Sequence, residues 1–485
     1  MIRCFLGVDI GTQGARVIIA DESGNLISSE EEVFILSEVS RQEQSPEMWW
    51  TVTKTLIKKV VNDAHLKSRF VLGIQALSVT STSGTVIPVD KDGNPLHNAI
   101  MYSDTRSSKE GEWCRHIAEK NIVAGYTGFN SSSGLSKMVW FMRNHPEKTD
   151  QMDKWIHAAD FLTSKLSGVW GVTDYTNALK SGYDVGKGEW PTYLFDQIGL
   201  KKSWMPEVYP SGTVIGNIEI VLAQELGLSP DTKVTVGMTD GCASQVASGA
   251  IAAGCWNTTI GTTMVVKGVT KTRISDPVGR FYSHRHPQGY WMPGGASNTG
   301  ADWLSTDFAG RLSELEKKSS NLVPSGHLHY PLRQKGERFP FMSPRAEGFC
   351  PQGLSEEEIY VSGLEGVAFL ERNAYDVAKE LSGENIEAIY TAGGGSQSNL
   401  WLRIRSSVLG LPIYRMKYIS GAYGAAVLAA SQTQFENLVE AGEAMVKKDL
   451  EVFPDEILIG KYKEQYQEFK ECLLDKGYLT AENIC

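Results

Sequence analysis

Asp9, Gly11 and Thr12 head the short set of residues whose types and spacing suit chemistry. Residues 6–21 read Leu-Gly-Val-Asp-Ile-Gly-Thr-Gln-Gly-Ala-Arg-Val-Ile-Ile-Ala-Asp. One apolar run ends at Asp9, turns through Gly11-Thr12-Gln13-Gly14, and a second apolar run follows at once. Backbone N–H groups in a glycine-rich turn can face phosphate oxygens, and glycine removes the side chains that would block approach. A carboxylate at the mouth suits a magnesium ion, held directly or through water. The alternative is a hairpin in which Asp9 merely caps the turn. A dinucleotide-binding turn fits less well, because that motif needs a helix after its glycines. The pattern recurs about half a chain later: Ile260-Gly261-Thr262 repeats Ile10-Gly11-Thr12, again between two apolar runs. Two such hairpins suggest an internally duplicated α/β protein with a nucleotide in the cleft between its halves.

Three further clusters carry polar groups at strand ends. Gly237-Met-Thr-Asp-Gly-Cys-Ala243 places Asp240 in a glycine-flanked turn. There it could take the proton of a hydroxyl attacking a γ-phosphate, or cap the helix that starts near Gly241. Ala392-Gly-Gly-Gly-Ser-Gln-Ser-Asn399 could let an adenine and ribose lie on bare backbone, or be a tight strand-to-helix turn capped by Ser396 or Ser398. Met101-Tyr-Ser-Asp-Thr-Arg106 sets an aromatic, a carboxylate and a guanidinium together. They could hold sugar hydroxyls, or form an Asp104–Arg106 surface pair of little energetic weight.

The bulk properties narrow the classes. At 485 residues the chain exceeds one ordinary core and suits two large domains. A net charge of −10 argues against a nucleic-acid partner. No apolar stretch reaches bilayer length, and Asp9 interrupts what would be a signal peptide's apolar region, so no membrane association is expected. Seven scattered cysteines without a CxxC pair fit reduced thiols in a cytoplasmic protein. His284 and His286 are the one close histidine pair, read as surface or hinge packing because no further ligand type clusters nearby.

The elements that must position these groups are also readable. After a three-strand meander, Ser45-Pro46-Glu47 opens a helix with Trp49, Val52, Leu56 and Val60 on its buried face. Strands are expected over 74–80, 86–90, 233–238 and 386–391, and helices over 156–166, 363–381 and 400–409. Residues 173–179 read as a loop. Residues 318–355 read as an ordered excursion or lid, and the charged stretch beyond Ser431 as helical and peripheral.

Six separated segments together resemble the FGGY family of carbohydrate kinases, in that family's order and over residues 4 to about 430. They are Asp9-Ile-Gly-Thr-Gln-Gly14, Tyr102-Ser-Asp-Thr-Arg106, Thr173-Asp-Tyr-Thr-Asn-Ala178, Gly237-Met-Thr-Asp240, Gly261-Thr-Thr263 and Gly393-Gly-Gly-Ser-Gln-Ser-Asn399. Tyr282-Ser-His-Arg, Gly294-Gly-Ala-Ser-Asn-Thr-Gly300 and Asn177-Ala-Leu-Lys-Ser-Gly-Tyr-Asp184 are similar to segments of ribulokinase- and xylulokinase-like members. The resemblance implies an α/β fold of two actin-like (ribonuclease H-like) ATPase domains with an interdomain cleft. It divides the chain into an N-terminal domain, 1–245, a C-terminal domain, 246–435, and a helical extension, 436–485. It implies ATP and Mg2+, with Asp240 as general base and Asp9 as the metal-associated carboxylate. Gly11, Thr12 and Gln13 with Gly261, Thr262 and Thr263 would hold phosphates. Gly394, Gly395, Asn399, Gly300 and Leu304 would line the adenosine site. Ser81, Thr82, Ser83, Gly84, Tyr102, Asp104 and Asp240 would contact the sugar.

The chain departs from glycerol kinases, which have Arg-Glu where it has Ser83-Gly84, and from xylulokinases, which typically have Met-His there. The implied reaction is phosphorylation of a primary hydroxyl of a ketopentose of D-ribulose or D-xylulose type. The alternatives are another polyol, a sugar acid or a deoxyketose, a degenerate sugar sensor lacking catalysis, or a chaperone-like or filament-forming ATPase. The partner implied is a small-molecule sugar, and the chain is compatible with a homodimer.

Overall fold

Alternating apolar residues over the first thirty positions fold as the expected antiparallel meander: β1 (Ile2–Gly11), β2 (Gly14–Asp21) and β3 (Leu26–Val33). The computed structural model describes residues 1–68, 71–122 and 125–479. Gly11 pairs with Gly14, so Thr12 and Gln13 alone make the first turn. The helix Pro46–Lys67 begins as its sequence dictates: Ser45 accepts a hydrogen bond from the Met48 N–H, and proline occupies the first turn. Its stripe of Trp49, Leu56, Ile57 and Val60 is fully buried. A leucine so buried contributes about 1.5–3 kcal/mol.

The chain next forms β4 (Leu72–Ser81), parallel to β1. Later come β5 (Val214–Asn217) and β6 (Lys233–Thr239), completing a sheet of order β5-β6-β4-β1-β2-β3. The three parallel strands end level: Asp9 lies beside Thr80, and Ser81 beside Thr239. Catalytic and binding groups of open α/β sheets gather outside such carboxyl ends. A small sheet of Glu43–Gln44, Ala99–Ile100, Val86–Val89 and Lys154–His157 delivers the loop that starts at Met101.

A second sheet repeats the plan with β7 (Cys255–Ile260), β8 (Met264–Gly268), β9 (Trp291–Ala296), β10 (Ala388–Ala392), β11 (Ile413–Met416) and β12 (Lys448–Val452). These neighbour one another in the order β9-β8-β7-β10-β11-β12. Again an antiparallel hairpin, β7–β8, stands beside a parallel strand, β10.

The two sheets belong to two units, each assembled from non-consecutive segments. The first takes the described residues of 1–247, 284–289 and 418–446; the second takes 248–283, 290–417 and 447–479. The chain thus returns to the first unit late, to add the helix Gly421–Ala430 against β1 and β4.

Several local expectations are corrected. Residues 156 and 157 close a strand, and the helix runs Ala158–Ser167 to a left-handed Gly168. Residues 173–179 are a strand end and the short helix Tyr175–Leu179, not a loop. The long helix begins at Glu356, two turns early, on a reciprocal cap between Ser355 and Glu358. His284 and His286 are buried, which removes the surface alternative for this pair and leaves that of hinge packing. The C-terminal stretch is not peripheral. It supplies β12 and the helix Glu456–Asp475, whose Tyr462, Tyr466, Phe469 and Leu473 enter the second unit's core.

Residues 318–355 are no lid. Tyr330, Phe339, Phe341 and Ala346 are buried in the same core. Glu337 accepts hydrogen bonds from the Ser297 and Thr299 hydroxyls, the Asn298 N–H and the Tyr330 hydroxyl. The excursion thereby buttresses the exit from β9.

Candidate active site

At the carboxyl ends of β1, β4 and β6 the first unit has a cleft of about 510 Å³. Asp9, Gly11, Thr12, Gln13, Thr82, Tyr102 and Asp240 line it, and so do Gly14, Ala15, Arg16, Glu31, Glu32 and Val33. One cavity therefore gathers the carboxylate proposed for metal, the phosphate turn, the proposed base and part of the sugar set.

Asp9 is raised from the ordinary aspartate range to about 7, first by burial and then by the charge of Asp240, with Arg16 opposing. A buried carboxylate whose ionisation a second carboxylate disfavours, beside one guanidinium already paired with Glu31, fits a divalent cation. The helix Gly421–Ala430 makes room for Asp9 at its first residue. A Cβ on Gly421 would stand 2.6 Å from the Asp9 carboxylate and would push it aside.

The Thr12 and Gln13 carbonyls of the turn proposed for phosphate are occupied within the protein. Gln44 donates to the Thr12 carbonyl at 2.9 Å, and the Phe34 N–H to the Gln13 carbonyl at 2.8 Å. Gln44 is itself fixed by the Trp49 indole N–H at 2.8 Å. The Thr12 hydroxyl is buried with no hydrogen-bond partner among the described residues. It is a polar group that a ligand could satisfy.

Asp240 is the first residue of the helix Asp240–Ser248, and it accepts the Gly241 N–H at 2.6 Å. It thus stands at the first turn of its helix and lines the cleft at once. The 173–178 motif holds the strand behind it. The Thr239 N–H donates to the Thr176 hydroxyl at 2.8 Å, and that hydroxyl donates to Asp174 at 2.6 Å. Burial pushes the Asp174 carboxyl up, but five groups from Thr176, Asn177 and Ser211 donate to its oxygens.

The sugar set is only partly gathered. The Thr82 and Thr85 hydroxyls bond at 2.8 Å, and Thr85 also accepts the Tyr102 N–H at 3.1 Å. Ser81 accepts the Ala159 N–H, and the Ser83 hydroxyl is buried without a partner among the described residues. Gly84 has φ of +84°, and its α-carbon packs on the Ser132 carbonyl. Asp104 is buried, not a surface residue. Both its carboxylate oxygens take the Arg106 guanidinium, which also reaches Glu43. It is outside the cleft lining.

The second unit brings its own candidates together. Thr259 pairs with Ala392, so the β7–β8 turn and the glycine-rich exit of β10 lie side by side. A Cβ on Gly300 would meet Thr262 and Thr263 backbone at 2.5–2.6 Å, and one on Gly395 would meet Ile260 at 2.8 Å. The Gly261 carbonyl accepts the Ala301 N–H, and Leu304 follows in the helix Asp302–Asp307. Gly394 opens the turn, and Asn399 starts the helix Asn399–Leu409. Bare backbone at the ends of two parallel strands suits a flat ring and phosphates.

Arg16, Glu31, Glu32, Gln44 and Gly421 escaped the sequence reading. Arg16 and Glu31 could have been found by continuing the hairpin's alternation from Asp9; Glu32, Gln44 and Gly421 required the tertiary fold.

Both halves of the chain match models of one family. Residues 4–247 match the N-terminal domain, and residues 256–433 the C-terminal domain, of the FGGY family of carbohydrate kinases. A xylulose kinase of Staphylococcus epidermidis is 28% identical over 98% of this chain and 98% of its own length. A gluconokinase of Bacillus licheniformis is 25% identical over 89% and 88%. The crystal structure of a xylulose kinase from Rhodospirillum rubrum superposes with a TM-score of 0.84, at 22% identity, over 98% of this chain and 99% of that one. The likeness is to the actin-like two-domain fold. With both domain models matched in order across most of its length, this chain belongs to the FGGY family of carbohydrate kinases and is a sugar phosphotransferase.

Proposed function

We propose that the protein transfers the γ-phosphoryl group of ATP to a primary hydroxyl of an open-chain ketopentose of D-xylulose or D-ribulose type. The observation that carries this reading is the convergence of Asp240, Asp9, Thr82 and Tyr102 on one cleft beside the Gly11–Gln13 turn. The 28% identity to a xylulose kinase supports the acceptor class.

In this mechanism Thr82, Tyr102 and the neighbouring Ser81, Ser83 and Gly84 orient the acceptor. Its hydroxyl oxygen forms the new bond to the γ-phosphorus while the bond to the β–γ bridging oxygen breaks and ADP leaves. The hydroxyl proton goes to Asp240. The amides of the Gly11–Gln13 turn stabilise charge on the transferred group. Gly261, Thr262 and Thr263 bind further phosphate oxygens. Gly300, Leu304, Gly394, Gly395 and Asn399 hold the adenosine. Magnesium, with Asp9 as its protein ligand, would neutralise phosphate charge when bound.

A sugar acid is the second reading, favoured by the 25% identity to a gluconokinase. ADP release with Mg-ATP separates the two. Stimulation by D-xylulose or D-ribulose well above basal hydrolysis supports the ketopentose. Stimulation by gluconate alone replaces it with the sugar acid, and stimulation by none rejects both.

A further inference from the structure

Lys137 lies in the helix Gly134–Asn144 and is fully buried, yet among the described residues its ammonium donates to no carboxylate. Its ammonium donates to two backbone carbonyls, that of Asp104 at 3.0 Å and that of Ser131. Withdrawing an ammonium from water is costly, and two carbonyl dipoles offset this less well than a carboxylate would. A methionine would fill the same volume without that desolvation cost.

The two carbonyls belong to two loops of the acceptor side. Asp104 stands two residues after Tyr102, which lines the cleft. Ser131 precedes Ser132, whose carbonyl packs against Gly84; a Cβ there would be 2.2 Å away. The same helix grips the first loop a second time. Trp140 lies under the Arg106 guanidinium at 4.4 Å, and Arg106 clamps the Asp104 carboxylate. None of these contacts reaches the Gly11–Gln13 turn or Asp240.

We propose that Lys137, seconded by Arg106, is a positioning residue for the acceptor: it fixes the 102–106 and 131–134 backbones so that Tyr102 and the Thr82–Gly84 loop meet the sugar. This rests on the acceptor reading given above. The residue acts through those loops and touches no reacting atom.

Steady-state kinetics of full-length wild type, Lys137→Met and Arg106→Lys test it, with Mg-ATP and D-xylulose, D-ribulose or gluconate. In K137M the KM for the acceptor is expected to rise about tenfold or more, while kcat and the KM for ATP stay within about threefold. R106K keeps the charge but loses the two-pronged grip, and a rise of about threefold is expected. A folded K137M with unchanged acceptor KM overturns the proposal, as does an equal loss in kcat and ATP affinity. Should K137M fail to fold, unchanged acceptor KM in R106K overturns it. If no panel compound stimulates wild type, the functional reading fails and takes the proposal with it. If wild type responds and the variants match it, only the proposal fails.

Discussion

The two β-hairpins share a shape and differ in charge. Aligning Ile10-Gly11-Thr12 with Ile260-Gly261-Thr262 sets Asp9 against Thr259. In the first unit the strand ends in a carboxylate raised to about 7 by burial and by Asp240. In the second, neutral groups satisfy the strand. The Thr391 hydroxyl donates to the Thr258 carbonyl, Thr258 bonds Tyr375, and Asn257 donates to Thr259. Neutral hydroxyls bonded within the protein shape the turn proposed to receive phosphate in the second unit. The metal binding and proton transfer proposed for the first unit need carboxylates, and burying them costs stability. On the proposed reading, the comparison separates binding, which a backbone shape can supply, from chemistry, which needs the charge that the first hairpin carries.

That contrast can be broken in four ways. Asp240→Ala should lower kcat about 10³-fold while leaving ATP binding, measured by calorimetry, nearly intact. Turnover that persists would remove Asp240 as the base. Asp9→Asn should cost about 10²-fold in kcat and weaken the magnesium dependence of turnover. Placing the carboxylate in the other hairpin, Thr259→Asp, should not rescue that variant, and should weaken ATP binding by roughly tenfold through repulsion of phosphate. Rescue would mean that the hairpins are interchangeable. Gly300→Ala, which forces the Thr262–Thr263 backbone to shift, should raise the KM for ATP by roughly tenfold with the acceptor KM unchanged. An effect on the acceptor instead would misassign the second unit's turn.

A smaller effect concerns stability. The folded pKa of Asp9, about 7, exceeds its free value of 3.8. Ionising it in the metal-free protein therefore opposes folding, beginning above pH 3.8 and reaching its full extent above pH 7. Asp9→Asn should accordingly be more stable than wild type at pH 8 without magnesium, by on the order of 2–4 kcal/mol, and the gap should close toward pH 4. Thermal melts across that range decide it. A variant less stable than wild type at pH 8 would show that Asp9 is satisfied by the protein alone.

Much of this was legible locally. The meander, the Ser45 cap, both Gly-Thr turns and the glycine-rich turn at 393–395 depend on residues close in sequence, whose spacing states their conformation. The early start of the long helix was also readable, since Ser355 and Glu358 form a capping box; the apolar stripe after Gly363 drew attention from it. The burial of Asp104 was not readable. A carboxylate two residues from an arginine has the same local sequence on a surface as in a core, and only Trp140, Glu43 and the helix bearing Lys137 decide between them. The excursion at 318–355 misled for a related reason. Its prolines, glycines and charges signal irregular backbone, but irregular backbone can be buried when a group such as Glu337 satisfies the amides and hydroxyls around it.

By itself the sequence determined the family, the duplicated α/β plan and the identity of the groups able to do chemistry, because each is written in contiguous motifs. Which of those groups meet was decided by tertiary structure. Asp9, Thr82 and Asp240 are far apart in the chain and converge because three parallel strands end level, and Tyr102 joins them on the loop that the small sheet delivers. Gly421 comes from near the other end of the chain to leave Asp9 its space. Strand register and helix return are long-range outcomes of burial, and no local pattern encodes a distance between segments that must first find each other.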